Sequence, residues 1–547
     1  GNNTARVCCT DNAGTSVGQP HVKLDHTAIA SGRALYTDDI SLPNMLHGAI
    51  LRSPHAHARI LAIDASAALA INGVRAVLTG DDFERTYGIF PYLRDETVLA
   101  RDKVRYVGEA VAVVAAESAE IAIAACRAIK VEYEPLPFVL DAFEALRENA
   151  PLIHETDYKD RQSADNVANE AILPEFGDLE TGFQNAAVTV QGHWHYGGSN
   201  HSAIEPHCAI GEWRNDHLRV WSSTQVSNSL KRELAHVLCL REEQVRVTQP
   251  KVGGGFGGKS DLFDIEFCAA ELSRLTGQPV KILASREEVY ALHRGRHPID
   301  YDLELACNNS GQITALKLDA VLNGGAFFSY GFVTRYYALQ LLAPLRISAF
   351  TGRSRRVYTN TAPCGPKRGH GGPQLNFAVS TAVDEAAEKL GINPMNMLRR
   401  NILGAGEQTV NGFVFPSSGI RECMDAVEKA SKWQDRYNAM PSGRGLGAAV
   451  SYYISGTAYP INPENKVQTT VALDVESNGS LKVRVGSNDI GQGSDTMLAI
   501  AVSEIIGFPV SQITVASGDT DLPVDIGAYS SRLTYMSGKA AFRAALA

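Results

Sequence analysis

A glycine-rich run is the segment of the sequence best suited to carry chemistry. Residues 253–260 read Gly-Gly-Gly-Phe-Gly-Gly-Lys-Ser, between a predicted strand at 244–247 and a predicted helix at 262–275. Adjacent glycines let a backbone approach a ligand closely and aim its N–H groups at anionic or sulfur atoms. The run also matches a phosphate-binding loop, in which Lys259 would meet the β/γ-phosphates and Ser260 would hold Mg²⁺. A plain structural turn is a third interpretation.

Three features argue against a nucleotide-hydrolysing enzyme. The run lies deep in the chain rather than after the first strand of a doubly wound domain. Pro250 and Lys251 interrupt the apolar strand that leads into a phosphate-binding loop. The best candidate for an apolar strand ending in aspartate, Val-Ala-Leu-Asp at 471–474, is weak. A P-loop NTPase is therefore only a minor alternative.

Three later segments also combine glycine with polar side chains. They read Arg-Gly-His-Gly-Gly-Pro-Gln at 368–374, Asp-Ile-Gly-Gln-Gly-Ser at 489–494 and Gly-Ala-Tyr-Ser-Ser at 527–531. Gln225 stands at the end of a predicted strand. Taken singly, each feature is explained equally well as a turn, a surface charge or a satisfied polar side chain.

Composition excludes several classes of protein. The 547 residues are 44% hydrophobic and 20% charged, which is typical of globular chains of several domains. A net charge of −9 argues against nucleic-acid binding, which needs a concentrated basic face. No apolar stretch reaches about 18 residues, so no membrane span is expected, and the N-terminus does not resemble a signal peptide. We therefore predict a cytoplasmic protein.

The nine cysteines include no C-x-x-C pair, so no iron–sulfur cluster is expected in this chain. Cys126, Cys268 and Cys423 are predicted to be buried, reduced thiols in helical, apolar surroundings. No His/Cys cluster is suited to a transition metal, so no protein metal ligands are predicted.

The hydrophobic pattern predicts an α+β fold. Helices are expected at 118–129, with Ser118 as N-cap, and at 375–390, ending at Gly391. Residues 138–190 are interpreted as a connecting stretch. We predict a tail or linker at 1–18 and domains at 19–165, 166–415 and 416–547.

The order of these segments resembles that of the molybdenum hydroxylases, the family of xanthine dehydrogenase, aldehyde oxidoreductase and 4-hydroxybenzoyl-CoA reductase. The resemblance extends from about residue 18 to residue 547. It rests on the segments already quoted and on five others, at residues 32–40, 52–58, 107–112, 201–207 and 223–225. It implies an N-terminal hammerhead-like α/β domain followed by elongated molybdopterin-binding α+β domains, the second of them incomplete relative to the family.

The resemblance also implies a cofactor and partners. Molybdenum would be held by the dithiolene of a molybdopterin in its cytosine dinucleotide form. Electrons would leave through partner subunits that carry a [2Fe–2S] cluster and FAD. The implied cofactor-binding residues are Gln225, Gly254, Gly255, Phe256, Gly257, Arg368, Gly369, Gly371, Gly491, Gln492, Gly493, Ser494, Tyr529, Ser530 and Ser531.

The implied catalytic residues are Gln225, Tyr336, Arg368 and His370. The family's general base is a glutamate in a G-x-G-E-like motif near the end of its chain. Residues 404–407 look similar but correspond to a structural loop of the family. We therefore expect the base outside these 547 residues, on a further chain or segment.

Substitutions within the motifs weaken a xanthine assignment. His370 stands where xanthine-type enzymes have a phenylalanine, and Ser260 replaces a carboxylate used for purines. Segments at 358–365, 454–457 and 529–532 are similar to 4-hydroxybenzoyl-CoA reductase, in which the match of Tyr336 faces the metal. We predict hydroxylation of an aromatic or N-heteroaromatic substrate. Dehydroxylation of the 4-hydroxybenzoyl-CoA reductase type, xanthine or aldehyde oxidation and a non-catalytic assembly role remain as alternatives.

Overall fold

The computed structural model describes residues 16–547 except 157–161, 293, 341, 343, 411, 454 and 457–466. The side chains of residues 174, 335–337 and 340 also lie outside the description. Within the described residues, no helix has the length and apolar character needed to cross a membrane.

The described residues form eighteen strands in four sheets. In chain order the strands are β1 (Leu46–Arg52), β2 (Ala58–Asp64), β3 (Val74–Thr79), β4 (Lys103–Val104), β5 (Ala110–Ala116), β6 (Lys130–Pro135), β7 (Val167–Phe176), β8 (Val188–Tyr196), β9 (Cys208–Arg214), β10 (His217–Ser222), β11 (Val245–Thr248), β12 (Val280–Leu283), β13 (Ile299–Cys307), β14 (Ile313–Gly325), β15 (Phe350–Tyr358), β16 (Ala472–Val475), β17 (Leu481–Arg484) and β18 (Ile513–Ala516).

The same residues form fifteen α-helices, so the predicted α+β class is confirmed. They are α1 (His26–Ala30), α2 (Ser66–Leu69), α3 (Ala119–Ala128), α4 (Ala142–Ala145), α5 (Leu179–Gln184), α6 (Ser227–Val237), α7 (Asp264–Thr276), α8 (Arg286–Leu292), α9 (Gly331–Gln340), α10 (Gly372–Leu390), α11 (Pro394–Asn401), α12 (Ile420–Ser431), α13 (Trp433–Arg436), α14 (Ser494–Ile506) and α15 (Leu533–Leu546).

The largest sheet joins strands from two predicted domains. Its order is β11-β10-β9-β12-β1-β5-β3, and β1 pairs in parallel with β12, with Leu46 opposite Val280. The run Ala-Val-Ala-Val-Val-Ala-Ala of β5 is buried at every position, as expected for a strand covered on both faces. The boundary predicted near residue 165 therefore does not separate independent sheets.

A five-stranded sheet, β7-β15-β14-β13-β8, lies in the second predicted domain, and β16-β17-β18 in the third. Strand β7 corrects the interpretation of residues 138–190 as a connector, because it pairs along its length with β15. The predicted tail needs correction as well. Ser16 is buried, and its hydroxyl lies 2.6 Å from the Ser503 hydroxyl on α14. Residues 1–15 of that tail lie outside the described residues.

Local signals place the helix ends as predicted. The Ser118 hydroxyl accepts a hydrogen bond from the Ile121 N–H at 3.3 Å, which satisfies one free donor of α3. Helix α10 ends at Gly391, whose φ of 65° lies in the left-handed region that favours glycine. Of the three cysteines, Cys126 and Cys268 are buried free thiols as predicted, whereas the predicted burial is wrong for Cys423, which is exposed.

Candidate functional site

Four loops that are distant in sequence meet around one cavity of about 720 Å³. The glycine-rich run lies opposite residues 366–370, and residues 490–492 and 528–534 complete the wall together with Gln225 and Tyr453. The fold therefore brings most of the predicted site residues to one place.

Gln225 ties two of these loops together from a buried position. Its side-chain oxygen accepts hydrogen bonds from the N–H groups of Gly257 at 3.0 Å and Lys259 at 3.3 Å. Its Nε2 donates to the carbonyl of Ala528 at 2.6 Å. An amide nitrogen carries two hydrogens, so a second donor remains for a ligand in the cavity. A Cβ on Gly255 would lie only 2.3 Å from the Gln225 side-chain oxygen, which explains glycine at that position.

Lys259 faces away from the cavity. Its Nζ lies 2.5 Å from a side-chain oxygen of Glu205, which also accepts the Gly253 N–H at 2.7 Å. The Ser260 hydroxyl donates to the Gly257 carbonyl at 2.7 Å. The groups that would bind phosphate and Mg²⁺ in a P-loop thus serve as internal ties. This geometry argues against the NTPase alternative.

The loop at 366–371 faces the glycine-rich run. The Arg368 guanidinium lies 4.7 Å from the ring centre of Phe256, and the Arg368 N–H donates to the Phe256 carbonyl at 3.0 Å. Gly369 and His370 also line the cavity, whereas Gly371 lies behind the lining as the N-cap of α10. Burial lowers the pKa of His370 to about 3, so its imidazole is neutral at pH 7.

The segment at 489–494 departs from the prediction. Gly491 and Gln492 line the cavity, but Gly493 and Ser494 do not. One side-chain oxygen of Asp489 accepts hydrogen bonds from the N–H groups of Gly491 and Gly493, at 2.9 and 3.4 Å. The other accepts a hydrogen bond from the Asp495 N–H in the first turn of α14, at 3.1 Å. A carboxylate of the chain itself therefore lies at this helix terminus, and the implied contact of the cofactor with residues 491–494 stays a prediction.

A second helix terminus at the cavity was missed in the sequence. Arg532 and the first residues of α15 line the cavity, and no side chain caps this helix. Arg532 is completely buried and pairs with Asp525 at 2.6 Å, which fixes the loop. The Ser530 hydroxyl is buried without a protein partner among the described residues. The sequence signal was a Ser-Ser-Arg run directly before a helical pattern.

Three non-glycine residues of the lining adopt left-handed backbone conformations. They are Phe256, Ser530 and Ser531, with φ of 55°, 51° and 49°. Such conformations cost of order 1–3 kcal/mol and cluster at ligand sites, where the surrounding structure enforces them.

Tyr336 and the segment 454–457 lie partly outside the described residues. The backbone of Tyr336 lies in α9, but its side chain is outside the described residues, so its catalytic role stays a prediction. Of the segment 454–457, only residues 455 and 456 are described. Glu407 bonds to Arg346 and to the Gly404 N–H and is absent from the cavity lining, in keeping with a structural loop at 404–407.

The lining fits the cofactor that the resemblance implies. None of the lining residues is an aspartate or glutamate, and no cluster of His, Cys, Asp or Glu able to hold a metal exists in the described part of the chain. Such a site suits an anionic group that brings its own metal ligands. The buried Ser530 hydroxyl and the closely fitted Gly255 supply a donor and a close backbone approach.

Comparison with known proteins covers almost the whole chain. The family model for the aldehyde oxidase and xanthine dehydrogenase a/b hammerhead domain matches residues 31–137. Two models for a molybdopterin cofactor-binding domain match residues 160–402 and 422–547.

Individual proteins agree with these matches. The chain is 32% identical over 546 residues to a xanthine dehydrogenase molybdenum-binding subunit of Escherichia coli O157:H7, covering 96% of this chain and 71% of that protein. It is 32% identical over 421 residues to the nicotinate dehydrogenase large molybdopterin subunit of Eubacterium barkeri, covering 76% and 96% respectively. The solved structure of quinoline 2-oxidoreductase from Pseudomonas putida 86 superposes with a TM-score of 0.89 at 28% identity, covering 98% of this chain and 70% of that one.

Proposed function

The chain belongs to the molybdenum hydroxylases, as a molybdenum-binding large subunit, and on that premise we propose that it hydroxylates an aromatic or N-heteroaromatic substrate in the 720 Å³ cavity. The observation that carries the proposal is the convergence of Gln225, the glycine-rich run, the 366–370 loop and the 528–534 loop on that one cavity.

The chain's own residues would hold molybdopterin from several sides. Gln225 would donate its second amide hydrogen, while the backbone from Gly254 to Gly257 would pass beside the group. The 368–370 loop would face them, and the loop at 529–531 would close over the group. When bound, the cofactor supplies two-electron oxidation of a substrate carbon with oxygen drawn from water.

We propose the cytosine dinucleotide form that the resemblance implies, and we place a phosphate of the cofactor at the N-terminus of α15. The uncapped N-terminus of α15 lines the cavity beside the buried Ser530 hydroxyl. Backbone N–H groups and the helix dipole at such a terminus favour an anion. The implied contact of the cofactor with residues 491–494 is retained beside this assignment.

The substrate class is supported by the lining and by the relatives. Phe256, Tyr453 and Tyr529 give the cavity aromatic faces, and the neutral imidazole of His370 can exchange a hydrogen bond with a ring nitrogen. Similar proteins include a nicotine 6-hydroxylase large subunit and the nicotinate and quinoline enzymes. Oxidation of a purine is the second candidate, because a xanthine dehydrogenase subunit is 32% identical to this chain.

Electrons would leave through partner chains. The cysteines include no iron–sulfur spacing, and the relatives are named as subunits. We propose one partner with a [2Fe–2S] cluster and one with FAD.

Elemental analysis of the natively purified complex tests the cofactor, and turnover in ¹⁸O-labelled water tests the reaction. About one molybdenum per copy of this chain, with iron on a separate subunit, is expected. The hydroxylated product should carry ¹⁸O. A folded complex without molybdenum, made in cells that synthesise the cofactor, would instead favour an assembly role. Loss of ¹⁸O incorporation in a Gln225→Ala complex, beside an unchanged Gln434→Ala control, would tie the reaction to this cavity.

A further inference from the structure

Three cationic side chains meet at one end of the cavity without a carboxylate partner in the described residues. Arg296 donates to the Gln374 side chain at 3.1 Å and to the Arg368 carbonyl at 2.6 Å. Lys367 donates to the Ser199 hydroxyl at 2.9 Å and to the Asn200 carbonyl at 2.8 Å. Among the described residues, the Arg368 guanidinium stacks on the ring of Phe256. All of these partners are neutral.

The charges therefore repel one another. Arg296 is buried, and burial lowers its pKa, an effect that the Tyr196 phenol opposes and no carboxylate does. The pKa of Lys367 is lowered first by burial and then by Arg296 and Arg368. Desolvated charges without partners are costly, so an arrangement of this kind is relieved when an anion enters.

The position of the three cations separates them from the segment at 491–492, one of the segments implied to contact the cofactor. The glycine-rich run lines the cavity from Val252 to Gly257. At the Val252 end, a Cβ on Gly491 would lie 3.8 Å from the Val252 carbonyl oxygen. A Cβ on Gly257 would lie 2.5 Å from the Pro366 carbonyl and 3.5 Å from the Lys367 Cα. The loop that carries Lys367 and Arg368 thus adjoins the Gly257 end of the run, the segment at 491–492 adjoins its Val252 end, and Arg368 is exposed.

We propose that Lys367 and Arg368 bind a carboxylate carried by the substrate ring, which makes this subunit a hydroxylase of anionic aromatic acids. The inference rests on the proposed function and narrows its substrate class. A guanidinium matches a carboxylate in bidentate geometry, and the Phe256 ring beside it offers an apolar face to the ring of the same molecule. Arg296 fixes the loop through the Arg368 carbonyl and adds to the positive field.

Binding of a matched pair of ligands to the molybdenum-loaded complex tests the proposal. Pyridine-3-carboxylate and pyridine-3-carboxamide have nearly the same shape and differ by one charge. Equilibrium dialysis should give at least about tenfold tighter binding of the acid, and the preference should weaken as salt is raised from 0.05 to 0.5 M. Equal affinity for the two ligands would overturn the proposal, even if no variant could be purified.

Variants then assign the preference to residues. Lys367→Gln and Arg368→Gln should each reduce the acid-to-amide affinity ratio by about tenfold or more. Arg59→Gln removes an exposed arginine of β2 and should leave the ratio unchanged. Loss of molybdenum from either cavity variant would show that the cations hold the cofactor and would overturn the assignment to substrate. Preferential binding of the acid without ¹⁸O incorporation into either ligand would uphold this inference and count against the proposed hydroxylation.

Discussion

Replacing Gly255 by alanine should deprive the subunit of its cofactor. The new Cβ would lie 2.3 Å from the side-chain oxygen of Gln225, about 1 Å closer than an ordinary contact allows. Gln225 cannot easily yield, because it is 2% exposed and held by hydrogen bonds to Gly257, Lys259 and Ala528.

The free-energy cost depends on whether Gln225 or the glycine-rich run moves to relieve the close contact. Swinging Gln225 away leaves two N–H groups and one carbonyl buried without partners, at about 1–3 kcal/mol each, or about 3–9 kcal/mol in total. Moving the glycine-rich run instead shifts it by about 1 Å, a displacement large enough to cost about a hundredfold in activity. Either way we expect less than about a tenth of the normal molybdenum content.

The assay is molybdenum per chain after dialysis, together with the melting temperature of the cofactor-free complex. Gly445→Ala is the control, because a Cβ there meets nothing within 4 Å. If the clash with Gln225 is the cause, Gly255→Ala should add little to the loss already produced by Gln225→Ala. Full molybdenum content in Gly255→Ala, with a melting temperature equal to that of Gly445→Ala, would refute the reasoning.

Three further changes probe the surrounding structure. Lys259→Met should destabilise the chain by about 3–5 kcal/mol because it leaves the Glu205 carboxylate unpaired, and the added change Glu205→Gln should recover most of that loss in denaturant unfolding. Burial raises the pKa of Glu266 to about 7, above the ordinary 4.5, so its contribution to stability is complete below pH 4.5 and is lost as the pH rises through 7. Glu266→Gln, with Ser222 still able to hydrogen-bond, should therefore gain about 3 kcal/mol on the parent between pH 4 and pH 8, and a constant difference would contradict this. Asp489→Ala should lower stability by about 1–2 kcal/mol in thermal melts, since it uncaps α14, whereas Asp489→Asn should lose less.

Features set by neighbouring residues could be read from the sequence. The Ser118 cap and the stop at Gly391 depend on chemistry within one helical turn. The ordered glycine segments also led to the cavity, because each had to leave room for a backbone beside a ligand. Gln225 was identified through the family resemblance, although the loop that its Nε2 contacts lies about 300 residues later.

Features set by distant partners could not be read. Strand β7 was interpreted as part of a connector because its partner, β15, lies more than 170 residues later. The cluster of Arg296, Lys367 and Arg368 could not be predicted, because Arg296 and Arg368 are 72 positions apart in sequence. Their contact is a hydrogen bond from the Arg296 side chain to the Arg368 carbonyl. Asp489 was quoted as part of a glycine motif, but nothing in its spacing indicated that its side chain occupies the adjacent helix terminus. The order of the motifs predicts which segments come together. Which residue accepts a hydrogen bond from each N–H group depends on the tertiary structure.

The parallel pairing of β1 with β12 means that one edge of β1 stays unpaired during much of the synthesis of this subunit. Leu46 emerges from the ribosome about 230 residues before Val280, its partner in the register. At roughly 5–20 residues per second, β1 and β5 wait for roughly 10–50 s with an unpaired edge on the nascent chain. An exposed strand edge is a template for aggregation. Production of this subunit should therefore depend on chaperone capacity during translation, before the cavity loops at 366–370, 490–492 and 528–534 have been made.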